Sequence, residues 1–251
     1  MSDKREVAIL GVGMHPWGKW GRSFVEYGID AAVAALGDAG IEWKDVGFVA
    51  GGETIRNGYP GYVSGATFAQ AMGWNGAELA SCYGACASGV QAIDLARAQI
   101  LGGKCDVAMA VGADTTPKGF LAPSAGKREN DPDWLRFHLM GATNPTYFGL
   151  YARRRMALYG ATEKDFARVK VKNSRHGLSN PNARYRKEVS EEEVMASPLV
   201  ADPLHLLDIC ATSDGGAAVV LASMELARRY DAEPVILAGA ATVSPRYPNT
   251  V

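Results

Sequence analysis

The chain has 251 residues, 47% of them hydrophobic and 21% charged, and carries a formal net charge of −1. This is the composition of a soluble globular protein with room for one large domain or two small ones. The balanced charge excludes a global field that would recruit nucleic acid or an anionic membrane surface. The sequence contains no apolar run of membrane-span length and no signal-peptide core, so we expect neither a membrane span nor secretion.

Four cysteines could pair or bind metal, and their spacing argues against both. Cys82, Cys86, Cys105 and Cys210 form no CxxC pair of the zinc-site type. The sequence therefore predicts no metal site. Reduced thiols in a protein of this size indicate an intracellular, cytoplasmic location.

Short apolar runs alternate with helical patterns in the N-terminal part of the chain. Strands are predicted at 7–10, 46–50, 79–83 and 107–111, and helices at 24–36, 65–72 and 87–101. The last of these strands is apolar throughout, as expected for a strand covered on both faces. The β-α-β-α-β-α-β order predicts an α/β layered domain whose helices cover a mostly parallel sheet.

An irregular stretch follows at 113–144, and stretches of this length in compact domains are usually functional. Beyond it the patterns predict three helices. One spans 145–159, one begins after Thr162 with Asp165 as its capping-box partner, and one spans 190–195. The patterns then predict a strand at 214–223, a helix at 224–230 and a strand at 234–242.

These elements predict a domain interrupted by an insertion. Residues 1–112 and 206–232 would form an N-terminal half, 113–205 an inserted loop domain, and 233–251 the start of a further half. The final strand has no partner elements to cover it, so we expect the sequence to be truncated relative to a longer protein.

The segment ILGVGMHPWGKWG begins like a dinucleotide-binding loop. Gly11 and Gly13 follow a predicted strand, but the third glycine of GxGxxG would fall on Pro16. A proline has a fixed φ and does not open a helix in the same way. We interpret the segment as a strand followed by a tight turn, and not as an NAD site.

Residues 151–187 contain eleven Lys or Arg and two acidic residues. A solvated helical face and a site for a phosphorylated ligand both fit this excess of positive charge. Nucleic-acid binding is disfavoured, because few stacking aromatics, such as Tyr151, Tyr159 and Tyr185, are interleaved with the basic residues.

Cys86 stands where small residues give way to a helical pattern. The unpaired N–H groups and the dipole at a helix N-terminus favour a thiolate, which would make Cys86 a nucleophile. A cysteine in an apolar setting can also be inert packing, and this interpretation fits Cys82, Cys105 and Cys210 at first.

The motif around Cys86 favours the nucleophile. CASGVQAI, beginning at Cys86, closely matches the thiolase nucleophile stretch C-[GAS]-[ST]-G-x-Q-A. Four more segments resemble thiolase segments in family order: VAILGVGMHPWGKWGRSF, in which His15 replaces the usual Thr, AMAVGADTT, HLMGAT and ICATSDGGAAVVLAS. The chain therefore resembles the thiolase superfamily. CATSDGGAA and YGAT-x-x-D-F are most similar to its sterol-carrier and lipid-transfer branch.

This resemblance implies a fold and a set of site residues. The fold would be a thiolase-like layered α/β fold, with an N-terminal βαβαβαββ half, a helical loop domain and a second half missing from this sequence. Truncation of the sequence, a second half supplied by another chain and loss of catalysis would each explain the missing half. Cys86 would accept the acyl group as a thioester. His138 and Met140 match a segment that lines the pantetheine tunnel, and Cys210 and Thr212 stand near a substrate-binding stretch. Acyl-CoA and CoA would be substrates, with no resident cofactor.

The resemblance also implies partners and leaves three functions open. Thiolases dimerise along the strand that leads to the nucleophile, here residues 79–86. The protein would be an acetyl-CoA acetyltransferase-type acyltransferase acting on a lipid or sterol-derived acyl-CoA. Alternatively, it would be a retro-aldol lyase on a side-chain acyl-CoA, with a small zinc/OB-fold partner protein and tyrosines as proton carriers. The third function is a non-catalytic acyl-CoA or lipid carrier.

Overall fold

The computed structural model describes residues 5–53, 64–116, 130, 143–231, 233–244 and 246. The chain divides into two compact units, which we call the first unit (1–116 and 213–245) and the second unit (117–212 and 246–251). Within the described ranges, no helix is long and apolar enough to cross a bilayer.

The described strands are β1 (Val7–Gly18), β2 (Phe48–Gly52), β3 (Glu78–Cys82), β4 (Val107–Asp114), β5 (Leu199–Ala201), β6 (Leu204–His205), β7 (Asp214–Ser223) and β8 (Val235–Ile236). The described α-helices are α1 (Phe24–Ala39), α2 (Ser64–Met72), α3 (Ser88–Leu101), α4 (Asn144–Tyr159), α5 (Glu163–Gly177), α6 (Glu191–Ala196) and α7 (Met224–Ala227). Short 3₁₀ turns lie at Trp43–Asp45, Ala85–Ala87 and Leu206–Asp208.

The first unit contains a six-stranded sheet in the order β3-β2-β4-β7-β1-β8. Both faces of β4 are buried, as its uniformly apolar sequence predicts. Val107, Met109 and Val111 belong to the hydrophobic cluster that includes α1. Ala108 and Ala110 belong to the cluster that includes α3. Because successive side chains of a strand point to opposite faces, β4 lies between two helical layers.

The four strands of the predicted β-α-β-α-β-α-β order, β1 to β4, run in one direction, whereas β7 and β8 run opposite to them, so the sheet as a whole is mixed. Strand β2 pairs in parallel with β3 and β4, whereas the pairs β4–β7, β1–β7 and β1–β8 are antiparallel. Helical crossovers impose the parallel direction on β2, β3 and β4. Between β4 and β7 the chain passes through the second unit, so no such crossover fixes the direction of β7.

Strand β1 continues to Gly18, and the predicted tight turn after residue 10 is absent. Gly11 and Gly13 serve helix packing instead. A Cβ atom on Gly11 would lie 2.4 Å from the carbonyl oxygen of Ala35, and one on Gly13 would lie 2.1 Å from that of Ala31. These two glycines therefore allow α1 to lie directly against β1.

Helix α1 begins and ends with local signals. The Ser23 hydroxyl accepts a hydrogen bond from the backbone N–H of Glu26, whose carboxylate accepts one from the backbone N–H of Ser23. The helix ends at Gly40, whose φ of 65° lies in the left-handed region that favours glycine. Tyr27 and Ala31 on its inner face are fully buried.

The described part of the second unit contains α4, α5, α6 and an antiparallel β5–β6 pair. The predicted capping box of α5 is present, since the Asp165 carboxylate accepts hydrogen bonds from the N–H and hydroxyl of Thr162 at 2.8 and 2.9 Å. The last predicted elements are shorter than expected: α7 ends at Ala227, and β8 spans only Val235–Ile236.

Candidate active site

Cys86 lies in the 3₁₀ turn that connects β3 to α3. This turn follows the carboxyl end of β3, the edge of a parallel sheet region at which α/β proteins commonly place ligands. The Cys86 side chain is exposed, so the alternative that it is a core packing residue is wrong. The turn thus presents a free thiol to solvent at a strand-to-helix junction.

The backbone just before Cys86 is strained. Ala85 has a φ of 48° and is the one non-glycine residue with positive φ in the described part of the chain. A residue with a Cβ atom in this region costs on the order of 1 kcal/mol, and such strain clusters at functional turns. The neighbouring contacts must therefore hold this conformation.

The buried hydroxyl of Ser88 supplies several of those contacts. Ser88 is 3% exposed. Its Oγ accepts a hydrogen bond from the backbone N–H of Gly84 at 3.0 Å. It also lies 2.7 Å from the carbonyl oxygens of Glu53 and Ala85, and its single hydrogen can be donated to either. The Cys86 turn is thus connected to the chain that leaves β2.

Two glycines allow the backbone to pack closely around this turn. A Cβ atom on Gly84 would lie 2.5 Å from the side-chain oxygen of Gln91. One on Gly52 would lie 2.8 Å from the carbonyl oxygen of Ser88. A side chain at Gly52 would collide with the backbone of the first turn of α3, whereas one at Gly84 would displace only the end of the Gln91 side chain.

Two other cysteines of the first unit differ from Cys86. Cys82 and Cys105 are half-buried and pack against the cluster that includes α3. Burial raises the pKa of the Cys82 thiol. Burial is also the largest cause of the raised pKa of Cys105, with a further contribution from the charge of Asp106. Both are therefore packing residues, as the sequence suggests.

The remaining site residues inferred from the resemblance are not tested by this geometry. His138 and Met140 lie outside the described residues. Cys210 and Thr212 are exposed in the second unit. Their role in substrate binding stays a prediction.

An ion pair in the first unit was missed by sequence reasoning. The ammonium of Lys19 lies 2.6 Å from Oδ1 of the buried Asp214, which also accepts a hydrogen bond from the backbone N–H of Thr116 at 2.8 Å. The hydroxyl of Thr116 donates to the carbonyl oxygen of Ser213 at 2.8 Å. The chain leaves the first unit after Thr116 and returns at Ser213. The signal available in the sequence was that Lys19 and Asp214 both lie in segments that resemble thiolase segments.

The basic stretch at 151–187 is partly neutralised within the second unit. Arg168 pairs with Glu191 at 3.2 Å, and Arg175 pairs with Glu188 at 3.4 Å. The first pair joins α5 to α6, so these two arginines belong to a solvated helical surface. Other basic residues of the stretch, such as Lys172, form no ion pair with a described residue. A solvated helical face and a site for a phosphorylated ligand therefore both stay predictions for the stretch.

No group of three or more His, Cys, Asp or Glu residues in the described ranges is arranged to hold a metal ion. The candidate site in the described part of the first unit consists of the Cys86 thiol, the strained turn that carries it and the N-terminus of α3.

An exposed cysteine on a strained turn of a layered α/β sheet defines a protein with a candidate nucleophilic thiol. The chain belongs to the thiolase family, because the family described as "Thiolase, N-terminal domain" matches residues 7–225. This confirms the family inferred from the motif around Cys86.

The relatives that this chain matches are longer than the chain itself. It is 32% identical over 246 residues to an acetyl-CoA acetyltransferase of Methanothermobacter thermautotrophicus, covering 96% of this chain and 63% of the relative. It is 33% identical over 251 residues to the benzoylsuccinyl-CoA thiolase subunit BbsB of Thauera aromatica, covering 99% and 64%. Sterol carrier protein 2 of Gallus gallus is 31% identical over 248 residues, with 92% and 44% covered. The chain thus spans less than two thirds of these relatives.

Solved structures confirm the thiolase-like fold. The Ltp2-ChsH2(DUF35) aldolase matches with a TM-score of 0.78 and 28% identity, covering 96% of this chain and 62% of the solved chain. A monomeric SCP2-thiolase like protein type 1 from Mycobacterium smegmatis matches with a TM-score of 0.63 and 24% identity, covering 92% and 48%. The second likeness concerns the fold alone.

Proposed function

We propose that this protein is a thiolase-type acyltransferase that takes an acyl group from a lipid or sterol-derived acyl-CoA onto Cys86. The observation that carries the proposal is the exposed Cys86 thiol on its strained turn at the start of α3. The acetyl-CoA acetyltransferase and thiolase relatives support the acyl-CoA chemistry.

The proposed first step exchanges one thioester for another. The Cys86 sulfur, as a thiolate, attacks the thioester carbonyl, and a new bond forms between Sγ and the acyl carbon. The bond between that carbon and the CoA sulfur breaks, and CoA leaves as a thiolate that takes up a proton. Covalent catalysis divides a difficult transfer into two easier steps. The backbone N–H groups at the start of α3 favour negative charge there.

Mass spectrometry of the protein after incubation with acetyl-CoA and longer acyl-CoAs tests this proposal. We expect an acyl adduct on the peptide that contains Cys86, and no adduct in Cys86→Ala. Cys105→Ala is the matched control and should keep the adduct, since Cys105 is a half-buried packing residue. Tight CoA binding without any adduct would contradict the acyltransferase and favour a non-catalytic carrier.

A retro-aldol lyase is the second candidate, and the likeness to the Ltp2-ChsH2(DUF35) aldolase favours it. In that case a small zinc/OB-fold protein would be the partner, and tyrosines would carry the protons. Turnover of a side-chain β-hydroxyacyl-CoA by the protein with such a partner, at full rate in Cys86→Ala, would support the lyase. Absence of that turnover in the unsubstituted protein, together with an acyl adduct on Cys86, would support the acyltransferase.

We also propose that the protein forms a homodimer through residues 79–86. Strand β3 is at one edge of the sheet and pairs only with β2 among the described strands, which leaves its other side open to a second copy. Leu79 and Tyr83 on this segment are exposed. Leu79→Arg should convert the dimer to a monomer in light scattering, whereas Val235→Arg on the opposite edge strand β8 should leave it a dimer.

A further inference from the structure

The hydroxyl of Ser88 lies between the turn before Cys86 and the end of β2, within hydrogen-bond distance of both. Ser88 is almost fully buried. It contacts the N–H of Gly84, the carbonyl oxygen of Ala85 and the carbonyl oxygen of Glu53. The first two groups belong to the turn, and the third follows the end of β2.

The contact with Ala85 bears directly on the direction of the thiol. Ala85 has a φ of 48°, a conformation that an alanine leaves when nothing holds it. Cys86 is the next residue, so a relaxed Ala85 would rotate the peptide that carries the thiol. The Ser88 Oγ lies 2.7 Å from the Ala85 carbonyl oxygen, and a hydrogen bond donated to that oxygen opposes this rotation.

The contact with Glu53 fixes the turn to the sheet. The Glu53 carbonyl oxygen lies 2.7 Å from the Ser88 Oγ, and Gly52 beside it approaches the Ser88 backbone closely. Removal of the hydroxyl would leave buried backbone groups with one partner fewer, which is unfavourable for a buried polar group. The turn can lower this cost only by moving away from its present conformation.

From these contacts we propose that Ser88 is a positioning residue for the Cys86 nucleophile. Its oxygen accepts the Gly84 N–H, and its single hydrogen is donated either to the Ala85 carbonyl oxygen within the turn or to the Glu53 carbonyl oxygen at the end of β2. These bonds keep the turn in the conformation in which the Cys86 sulfur meets the incoming thioester. This inference rests on the proposed acyl transfer to Cys86. Ser88 acts through the turn and does not itself contact the substrate.

The test compares variants with and without a hydroxyl at position 88. Ser88→Ala, Ser88→Val and Ser88→Thr are made in the full chain, and the rate of Cys86 acylation is measured against acetyl-CoA concentration. Thr and Val have the same shape, so this pair isolates the hydroxyl. The family-like motif also has Ser or Thr at this position. Ser223→Ala, which removes the hydroxyl that caps the distant helix α7, is the control for general stability loss.

We expect Ser88→Ala and Ser88→Val to lower the maximal acylation rate about ten- to a hundredfold, the size of effect that a misplaced reacting group produces. The half-saturating acetyl-CoA concentration should change less than about twofold, because the binding surface is intact. Ser88→Thr should recover most of the rate, and Ser223→Ala should match the unsubstituted protein.

Acylation rates in Ser88→Ala and Ser88→Val that equal the rate of the unsubstituted protein would overturn the inference. A change confined to the half-saturating acetyl-CoA concentration would also overturn it. Failure of both variants to fold, seen by circular dichroism, would assign Ser88 to folding and also overturn it. If the unsubstituted protein forms no acyl adduct, the proposed function fails separately. The rate at which iodoacetamide alkylates Cys86 then tests the positioning role of Ser88 alone. Equal alkylation rates in Ser88→Thr and Ser88→Val would overturn that role.

Discussion

The two units of this chain are stabilised in different ways. The sheet of the first unit is covered by helices, and large side chains such as Tyr27, Phe68 and Ile100 are fully buried. Helix α4 of the second unit buries only Gly149 and Ala152 among its described residues. Helices α5 and α6 are joined by a surface ion pair between Arg168 and Glu191.

This contrast indicates where substitutions should matter. Packing at native density tolerates little change in volume, so the first unit should be sensitive to single added atoms. Surface ion pairs contribute little individually, so the described part of the second unit should tolerate substitution. The strained turn with Cys86 is in the first unit, where rigid packing can hold a strained conformation.

Gly13→Ala should have the largest effect on stability. The new Cβ atom would lie 2.1 Å from the Ala31 carbonyl oxygen, and a backbone atom cannot move aside cheaply. We expect a loss of about 3 kcal/mol or more in the free energy of unfolding, measured in urea. Gly37→Ala is the matched control, because a Cβ atom there meets nothing within 4 Å. It should be neutral or stabilising by up to about 1 kcal/mol. Equal effects of the two substitutions would contradict the close packing of α1 against β1.

Lys19→Met should destabilise the protein by about 1–3 kcal/mol, because it leaves the buried Asp214 carboxylate without its cation. Arg175→Met in the second unit removes an exposed ion pair with Glu188 and should cost less than about 1 kcal/mol. Urea unfolding in low and high salt measures both. A larger loss of the free energy of unfolding in Arg175→Met than in Lys19→Met would contradict the expected difference between the two units.

Alkylation should separate the cysteines of the first unit by exposure. At pH 8, iodoacetamide should modify Cys86 at least about tenfold faster than Cys82 and Cys105, because the latter two are half-buried and burial raises their pKa. The exposed Cys210 of the second unit should also react fast. Peptide mass spectrometry over time gives the four rates. Fast modification of Cys105 would show that its packing opens readily.

The smallest effect concerns the caps of α1 and α5. Backbone hydrogen bonds from Ser23 and Thr162 are the largest cause of the lowered pKa of Glu26 and Asp165. A lowered folded-state pKa contributes stability that is present above the ordinary carboxyl range, and this stability is lost as pH falls through the folded-state pKa. The urea midpoint should therefore decrease below about pH 4. Asp165→Asn should make this decrease of the urea midpoint slightly smaller. If the midpoint depended on pH in the same way with and without the substitution, the ionised Asp165 carboxylate would not stabilise α5.

Local patterns determined much of this protein. The positions of α1, α3 and α5 follow from apolar spacing and capping boxes, which depend on residues within one or two turns of each other. The motif that begins at Cys86 identified the family, since it needs only contiguous residues.

Only the tertiary structure decided which distant segments meet. The direction of β7, the packing of α1 on Gly13, the pairing of Lys19 with Asp214 and the contact of Ser88 with the Glu53 carbonyl all join residues far apart in sequence. Residue periodicity encodes which face of an element is apolar, but it does not encode which partner will cover that face. The strained conformation before Cys86 is likewise set by the surrounding contacts, because no local preference of alanine favours it.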